Sequence, residues 1–496
     1  MNDSPATGKA ADLIRQIGLV TAIAYAVGSV IGSGIFRKPG LMASQLGSPL
    51  LLLLVWLVAG VMTLFGALSV AETAGMFPQS GGQYVYFNRS YGRLAGYLYG
   101  WAVFIVIQTG SIASIAYVFS DSLGYFFHFF RLPAAWEAFA LHIPFLGAIT
   151  PFRFFGLKLC TIALVLSLTL VNYVGVRLGG AVQVLFTVLK VAAIALIVVF
   201  ALTAGGGHGG NFTQSTVPLT PADTPLFLAF IVAMSGAFWA YDGWINVTYI
   251  AGEVREAQRN LPRALAIAAV IYIVVYLLIN VAYFYVIPIG EMAGKYVAAD
   301  TTGQTYLVAT DVANRIWQGW GGAIIAIAIM ISTFGTANGT IMLSARVYYA
   351  MAREGHFFAR LKEVHPRFHT PGKSLWVQGG WTSVLILSGT FDQLTDMLIL
   401  VSWIFYAAAA LSVIVLRNRY PDTPRPYKVW GYPVVPWLFI LFASVFIGFT
   451  VYSDIHNYLT GRAPMINSVF GIALVALGIP GYLHWRAKEK RQAAPR

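Results

Sequence analysis

Apolar residues along this chain come in long runs, which short polar or glycine- and proline-rich segments separate. A run of about 20 apolar residues is long enough for a helix to cross the hydrocarbon core of a bilayer. The pattern predicts an all-α polytopic membrane protein. Twelve transmembrane helices are expected, at residues 17–44, 49–76, 94–130, 155–175, 181–203, 223–252, 262–289, 320–350, 373–390, 393–417, 433–453 and 465–486.

Two of these runs are interrupted near their middle. The first carries Gly28, Gly32 and Gly34, and the sixth carries the pair Asp242-Gly243. Lipid cannot satisfy free backbone N–H and C=O groups, so a broken helix persists only where it lines an enclosed cavity. Paired discontinuous helices indicate the binding site of a secondary transporter. Helices 1 and 6 are therefore predicted to be broken.

The two interruptions also suggest how the chain is organised. Each begins a set of five helices, which is the spacing of a five-plus-five inverted repeat with two helices appended. The predicted units are a cytoplasmic tail at residues 1–16, a first repeat at 17–203, an external linker at 204–222, a second repeat at 223–417, helices 11 and 12 at 418–486, and a cytoplasmic tail at 487–496.

Composition and charge agree with a multi-pass protein of the cell membrane. The chain is 58% hydrophobic and 10% charged, with a mean hydropathy of +0.71, whereas soluble domains carry about 25% charge. With both termini in the cytoplasm, 23 of the 32 Lys and Arg residues lie on the cytoplasmic side, as the positive-inside rule requires. The net charge of +13 is therefore explained by membrane topology, with Arg486 and Lys488 expected to contact anionic lipid headgroups. No nucleic-acid partner is expected.

Metal, cofactor and enzyme chemistry are not expected. Cys160 is the only cysteine, so an intrachain disulfide and a cysteine metal site are excluded. His356, His365 and His369 share one loop without the additional ligands of a metal site. The chain lacks the glycine loop ending in Gly-Lys-Ser/Thr that cradles phosphates, which argues against an ATP-driven pump. No catalytic dyad is apparent at the ends of the spans.

The interruption in helix 1 is the strongest candidate for a binding element. A helix that restarts after Gly32 and Ser33 presents free N–H groups and the positive end of its dipole, which suits a carboxylate. Glycine permits close approach of a ligand to the backbone. Alternatively, Gly28, Gly32 and Gly34 form a small-residue face for helix packing. The carbonyl groups exposed by the interruption in helix 6 suit an ammonium group.

Two charged residues lie deep within the predicted spans. Lys190 is about nine residues into helix 5, or roughly 13 Å at about 1.5 Å per residue. A carboxylate at the depth of Asp242 costs about 2.5–3.5 kcal/mol on insertion scales, so a partner is expected. Asp242 is predicted to contact a substrate amine, to favour a cationic or hydroxylated side chain, to carry a proton, or to cap the broken helix.

Several motifs in order resemble the amino acid–polyamine–organocation (APC) transporters. They are GSVIGSGIF at 28–36, FPQSGGQYVY at 77–86, RNLP at 259–262 and AREGH at 352–356. VQVLFTVLK at 182–190 and STFGTANG at 332–339 are similar to the L-type amino acid transporter branch. The resemblance implies the leucine-transporter-like fold and alternating-access transport of amino acids.

The resemblance also implies roles for individual residues. Ser33 and Gly34 would bind the substrate carboxylate while Gly32 keeps the turn open. Carbonyl groups of Val30, Trp239 and Asp242 would receive the substrate amine, and Trp239 would be an aromatic gate. Asp242 departs from the L-type pattern, in which glycine or an apolar residue is usual. Lys190, with Ser332 as a weaker candidate, would occupy the place of the cation in sodium-coupled relatives; bracing of helix 5 is the structural alternative.

Two acidic residues complete the predicted site. Glu72 and Glu253 lie toward the cytoplasmic ends of their spans, near Arg89, Arg255 and Arg259 in sequence. They are expected either to form ion pairs that close an inner gate or to be ordinary solvated helix ends.

The predicted function is sodium-independent secondary transport of amino acids, by proton-coupled uptake or by exchange. Animal L-type transporters pair with a heavy subunit through a cysteine between helices 3 and 4. Residues 131–154 lack cysteine, so no disulfide-linked heavy subunit is expected. The alternatives are a polyamine or organic-cation transporter of the same fold and a non-transporting amino acid sensor.

Overall fold

The computed structural model describes residues 15, 17–143, 147–174, 179–204, 206–216, 218, 225–302, 305–368, 370–389, 391–463 and 465–493. Most of the predicted tail at 1–16, part of the predicted linker at 204–222 and the end of the predicted tail at 487–496 lie outside these residues. The predicted boundaries between units therefore stay predictions.

Helices account for most of the described chain. Their bounds are α1 Leu19–Val30, α2 Gly34–Leu46, α3 Pro49–Met76, α4 Gln83–Ser90, α5 Arg93–Ala102, α6 Gln108–Leu123, α7 Ala134–Glu137, α8 Phe155–Val174, α9 Gly179–Thr203, α10 Leu226–Tyr241, α11 Ala257–Val286, α12 Ile289–Thr302, α13 Val308–Ile316, α14 Gly321–Arg353, α15 Gly372–Ser388, α16 Phe391–Arg419, α17 Val434–Leu459, α18 Asn467–Ala476 and α19 Gly478–Ala493. A short antiparallel hairpin, β1 Leu141–Ile143 and β2 Gly147–Ile149, follows α7.

The predicted all-α polytopic membrane architecture is confirmed. Within the described residues, eleven helical segments are long and apolar enough to cross a membrane. The predicted ninth span corresponds to α15, which is shorter, at 17 residues. The count of twelve spans and the inverted repeat stay predictions.

The spans begin where local sequence favours a helix start. At α3, the Ser48 hydroxyl accepts a hydrogen bond from the Leu51 amide at 3.5 Å, which satisfies one otherwise unpaired N–H. Pro49 occupies the first turn, where its missing N–H removes no helical hydrogen bond. The following apolar residues then continue the helix for 28 residues.

The spans pack in two groups joined by single helices. In one group α1, α2, α3, α10 and α11 are in contact, and in the other α6, α8, α14 and α15 are in contact. α9 lies between the groups and touches α1, α11 and α14, while α16 touches α3, α6 and α17. The broken helices thus lie in one group, with α9 and α14 along one side.

The two ends of the bundle can be recognised from backbone contacts. At the end where α1 begins, the Ile17 amide donates to the Glu253 carbonyl at 3.0 Å; we refer to this as the N-terminal face. At the opposite end, the Thr216 amide donates to the Gly47 carbonyl at 2.8 Å; this is the far face.

Both predicted interruptions are present. α1 ends at Val30 and α2 begins at Gly34, with no α-helical residue between them. α10 ends at Tyr241, Asp242 is extended, and Gly243 has a φ of +94°, a left-handed conformation that favours glycine. The chain then continues as a 3-10 segment, Asn246–Glu253, rather than as α-helix.

A third irregularity lies in the third span, where the sequence predicted a regular helix. Residues Val103–Ile107 form a π-helical turn between α5 and α6. Such turns are rare and frequently occur at functional sites. This turn precedes Gln108, the first residue of α6.

Candidate functional site

The two interruptions pack directly against each other. A Cβ atom at Gly34 would lie 2.6 Å from the Ala240 Cα atom, and one at Gly243 would lie 2.7 Å from the Ser29 carbonyl oxygen. Such distances are too short for a side chain, so glycine is required for this contact between backbones. The end of α1 and the start of α2 therefore both touch the broken part of the sixth span.

The other two glycines of the first interruption differ from Gly34. A Cβ atom at Gly28 would lie 2.3 Å from Gln183 Nε2, so Gly28 serves close packing of α1 against α9. At Gly32, the nearest side-chain atom would be 3.5 Å away, which is ordinary contact. Small-residue packing thus applies to Gly28, whereas nothing in the packing around Gly32 demands glycine.

The start of α2 presents unpaired donors. Ser33 precedes the helix without capping it through its side chain. Its hydroxyl is buried and has no hydrogen-bond partner among the described residues. A buried polar atom without a partner calls for an explanation, such as a ligand. The Phe36 amide donates to the Ser33 carbonyl at 3.2 Å, but the first amides of a helix lack partners one turn earlier. Together with these amides, the Ser33 hydroxyl forms a donor-rich end that suits an anionic group.

Carbonyl groups at the opposing ends are held by a tyrosine that the sequence did not single out. The Tyr276 hydroxyl lies 2.9 Å from the Val30 carbonyl oxygen and 2.8 Å from the Ala240 carbonyl oxygen. It therefore bridges the ends of α1 and α10 from α11. The predicted amine acceptor Val30 is one of its two partners. The only sequence signal was that Tyr276 is one of four tyrosines in a mostly apolar run.

Lys190 reaches the end of α1. Its ammonium group donates to the Gly28 carbonyl at 3.1 Å, to the Ile31 carbonyl at 2.9 Å and to the Thr336 hydroxyl at 2.6 Å. The last carbonyls of a helix lack internal partners, and a cation is favourable there. Lys190 thus satisfies the backbone that the interruption leaves unpaired, and it joins α1, α9 and α14.

Ser332, the predicted partner on α14, does not contact Lys190 in this way. Its hydroxyl is buried without a hydrogen-bond partner among the described residues. Thr336, one helical turn further along, makes the contact and also donates to the Ser332 carbonyl at 2.9 Å. Positions four residues apart share one helix face. The predicted face of α14 therefore contacts Lys190, but through Thr336 and not through Ser332.

Asp242 and Trp239 are both buried at the broken sixth span. The Tyr406 hydroxyl donates to Asp242 Oδ1 at 2.6 Å, which supplies the polar partner expected for a buried carboxylate. Trp239 is 6% exposed, and its ring lies within 2.8 Å of where a Cβ atom at Gly34 would be. Trp239 therefore rests on the start of α2, beside the donor-rich end.

Further polar side chains continue from Asp242 along the 3-10 segment. Gln108 donates to Asn246 Oδ1 at 2.9 Å, and the Tyr99 and Tyr249 hydroxyls lie 2.8 Å apart. The Gln108 Oε1 atom is buried without a hydrogen-bond partner among the residues described. The π-helical turn places Gln108 here, a feature that apolar periodicity does not reveal.

Glu72 and Glu253 form ion pairs near the N-terminal face. Glu72 receives two hydrogen bonds from Arg417, at 2.9 and 2.7 Å, and one from the Val429 amide at 2.8 Å. Glu253 receives hydrogen bonds from Arg346 at 2.6 and 3.3 Å. The partners are therefore not Arg89, Arg255 or Arg259, the arginines that are close in sequence. These pairs tie α3 to α16 and the 3-10 segment to α14.

No metal centre emerges from the part of the chain that the structure describes. Within it, no group of three or more His, Cys, Asp or Glu side chains could hold a metal ion.

The comparisons with known proteins agree with this architecture. The family model for amino acid permeases matches residues 17–475. The chain is 31% identical over 445 residues to the serine/threonine exchanger SteT of Bacillus subtilis, covering 89% of this chain and 92% of that protein. It is 32% identical over 440 residues to the human b(0,+)-type amino acid transporter 1, covering 88% and 83%. It is 31% identical over 485 residues to the mouse Asc-type amino acid transporter 1, covering 96% and 83%.

These matches confirm the predicted APC resemblance, including its L-type branch. The three relatives are named as transporters or exchangers and not as enzymes, which agrees with the expectation that the chain is not an enzyme. Since one family model spans nearly the whole chain, the chain is a multi-pass membrane protein that belongs to the amino acid permease family.

Proposed function

We propose that this protein is a secondary transporter of amino acids that works by alternating access. The observation that carries the proposal is the contact between two helix interruptions of opposite polarity. The start of α2 offers N–H donors and the Ser33 hydroxyl, whereas the ends of α1 and α10 offer carbonyl groups. An amino acid carries one group for each, a carboxylate and an ammonium.

The residues of the two interruptions have distinct proposed roles. Gly32, Ser33 and Gly34 hold the carboxylate, since α2 begins at Gly34 and the start of a helix favours a bound anion. The carbonyls of Val30, Trp239 and Asp242 hold the ammonium group. Because Tyr276 now occupies the Val30 carbonyl, we expect the ammonium group to compete with this hydroxyl.

The side chain of the substrate is proposed to face a polar region. Asp242, Tyr406, Gln108 and Asn246 are buried and joined by hydrogen bonds in two pairs. A small hydroxylated side chain can donate to Gln108 Oε1, which otherwise stays unpaired. The name of the Bacillus relative, a serine/threonine exchanger, supports this preference. Replacing Gln108 with Leu is expected to lower the preference for threonine over valine in competition assays.

Lys190 is proposed to take the place of a coupling cation. Its ammonium group contacts the Gly28 and Ile31 carbonyls at the end of α1 and a hydroxyl on α14, as an oxygen-coordinated cation would. Transport is then independent of sodium and proceeds by exchange or by proton-coupled uptake. The name of the Bacillus relative favours exchange.

The N-terminal face is proposed to be cytoplasmic, in the cell membrane. The distribution of Lys and Arg supports this orientation. Trp239 then acts as the gate over the substrate, and the pairs of Glu72 and Glu253 close the inner side. Cys160, the single cysteine, is in α8 and not in the connection between the third and fourth spans, so we propose no disulfide-linked heavy subunit.

Exchange in proteoliposomes tests the function. Vesicles loaded with unlabelled serine should take up labelled serine at the same rate with sodium or with choline outside. Excess neutral amino acids should inhibit uptake, and putrescine should not. Inhibition by putrescine alone would instead support a polyamine transporter, and binding of serine without exchange would support a sensor. A strict requirement for sodium would refute the role of Lys190.

A further inference from the structure

A large cavity opens toward the far face, above the two interruptions. Its volume is about 540 Å³, and its walls come from α2, α6, α10, α16 and α17, among others. Gly236, three residues before Trp239, and Lys38, four residues after Gly34, both line it. The cavity therefore adjoins the proposed substrate site on the side of the Trp239 gate. A molecule entering from the far face would pass through it.

Charged side chains of both signs line this cavity. Of the eight Lys and Arg residues that the predicted topology places outside, five are on its walls, together with four aspartates. Most Lys and Arg residues elsewhere lie at the other face, so this concentration is a feature of the cavity. A wall with both signs suits a ligand that also carries both signs.

One ion pair stands out among these charges. Arg37 on α2 donates to Asp121 on α6, with 2.6 Å between Nη1 and Oδ2. The two side chains are 16% and 7% exposed, so the pair is largely withdrawn from bulk water although it lines the cavity. Lys158, by contrast, donates hydrogen bonds to three backbone carbonyls, those of Thr150, Pro151 and Leu387.

The pair also links the two groups of helices. Arg37 belongs to α2 of the broken first span, and Asp121 belongs to α6 of the third span, which packs against α14. Next to it, Lys38 joins α2 to α16 through the Thr395 hydroxyl at 3.2 Å. A ligand that separates Arg37 from Asp121 thus acts where the two groups meet on the path to the site.

We propose that Arg37 and Asp121 form an entrance subsite that binds the backbone of an amino acid zwitterion before it reaches the central site. The carboxylate of the ligand pairs with the Arg37 guanidinium, whose planar fork matches carboxylate geometry. The ammonium group pairs with the Asp121 carboxylate. One internal ion pair is exchanged for two intermolecular pairs, so no charge is left buried without a partner. The proposal rests on the proposed function.

This subsite would select for zwitterions at the entrance. A polyamine offers nothing for Arg37 and is repelled by it, and an organic anion is repelled in the same way by Asp121. The effect should appear in the rate constants of both association and dissociation and not in the dissociation constant, because the ligand leaves the subsite before it is held at the two helix interruptions.

Stopped-flow tryptophan fluorescence of the purified full-length protein with L-serine tests the subsite. Arg37→Gln and Asp121→Asn should each lower the association rate constant about tenfold, the loss expected for one charge-assisted hydrogen bond. Because the ligand no longer contacts the subsite in the final complex, the dissociation rate constant should fall by a similar factor, and the dissociation constant should change by less than about twofold. The matched control is Arg462→Gln, which removes an equal charge from the same cavity wall without touching the pair, and it should change association by less than about twofold.

Comparison of the variants distinguishes binding at the ion pair from attraction by the charge of the whole cavity. Equal losses in Arg37→Gln and Arg462→Gln would indicate general electrostatic attraction and overturn the subsite, as would unchanged association in both pair variants. If one of the two pair variants does not yield monodisperse protein, the association rate constant of the other variant still tests the subsite. Absence of amino acid binding to the unmodified protein would refute the proposed function itself, whereas binding with unaffected association refutes only the subsite.

Discussion

At the residue scale, single polar side chains stabilise the interrupted helices. A broken helix within a membrane leaves carbonyl groups that neither water nor lipid can satisfy. Here the Tyr276 hydroxyl lies within hydrogen-bond distance of the Val30 and Ala240 carbonyls. The ammonium group of Lys190 donates to the Gly28 and Ile31 carbonyls. These contacts leave the donor-rich start of α2 without comparable partners. The Ser33 hydroxyl at the proposed carboxylate site therefore has no partner among the described residues, while the carbonyl ends are partly occupied.

Removal of the Tyr276 hydroxyl should destabilise the site without removing the ring. In Tyr276→Phe the Val30 and Ala240 carbonyls lose their donor, which costs about 1–3 kcal/mol for a buried unsatisfied group. We expect a lower melting temperature in detergent and slower exchange in proteoliposomes. Packing of the ring against Trp56, with centroids 5.4 Å apart, should be retained.

Tyr272 provides the matched control for this variant. It lies one turn earlier on α11 and is equally buried, but its hydroxyl has no hydrogen-bond partner among the described residues. Tyr272→Phe should therefore leave the melting temperature unchanged or raise it. Equal destabilisation by the two substitutions would contradict the bridging role of Tyr276.

The partner of Lys190 on α14 can be identified by a second pair of substitutions. Thr336→Val preserves shape but removes the oxygen that lies 2.6 Å from the ammonium group. We expect a loss of about 1.5–3 kcal/mol in stability, as for hydrogen bonds to charged groups, together with reduced exchange. Ser332→Ala should have little effect, because it removes a hydroxyl without a partner among the described residues. If thermal unfolding shows a larger loss of stability for Ser332→Ala than for Thr336→Val, then Ser332, which the sequence indicated, is the partner of Lys190.

At the element scale, the interruptions themselves could be predicted from the sequence, because apolar run length and glycine are local signals. The partners of the interruptions could not. Lys190 and Thr336 are 146 residues apart, and Tyr276 is 246 residues from Val30. Such contacts depend on the relative register of helices that are remote in sequence, which periodicity does not encode. The ion-pair partners of Glu72 were missed for the same reason, since Arg417 is 345 residues away.

The contact between the two broken helices predicts different costs for neighbouring glycines. Gly34→Ala places a Cβ atom 2.6 Å from backbone and 2.7 Å from the Ala240 side chain, so the helices must separate. We expect a strongly reduced yield of folded protein and loss of exchange. Gly32→Ala introduces only ordinary contacts and should preserve thermal stability, which size-exclusion chromatography and thermal unfolding can check. Tolerance of alanine at Gly34 would show that the start of α2 is not held against α10.

At the scale of the whole molecule, the two faces differ in a way that suggests one stage of a transport cycle. The far face has a cavity of about 540 Å³ beside the site, whereas the N-terminal face is bound by ion pairs between separate helices. Glu72 with Arg417 and Glu253 with Arg346 are both largely buried. Glu253 belongs to the broken sixth span and Arg346 to α14 of the other group. Since movement of one group of helices against the other must separate this pair, it resists opening toward the N-terminal face.

Neutralising the second of these pairs should expose the site to the N-terminal face. In Glu253→Gln the Arg346 guanidinium stays buried without its counter-charge, which costs about 3–5 kcal/mol when one member of a buried pair is removed. The equilibrium should shift toward the open arrangement. In a Cys160→Ser background, a cysteine at Ser29, which is buried at the end of α1, should react at least about tenfold faster with a water-soluble maleimide, a shift of about 1.4 kcal/mol.

The control separates this gate from a general effect of charge at the same face. Glu363 pairs with Lys373 near that face, and both side chains are about half exposed. Because exposed pairs contribute about 0–1 kcal/mol, Glu363→Gln should leave the reaction rate at position 29 unchanged. If Glu253→Gln and Glu363→Gln accelerate labelling equally, the buried pair does not govern access. If only Glu253→Gln accelerates labelling, the ion pair between Glu253 and Arg346 controls access from the N-terminal face. This pair joins the broken sixth span, which also forms part of the proposed site, to α14.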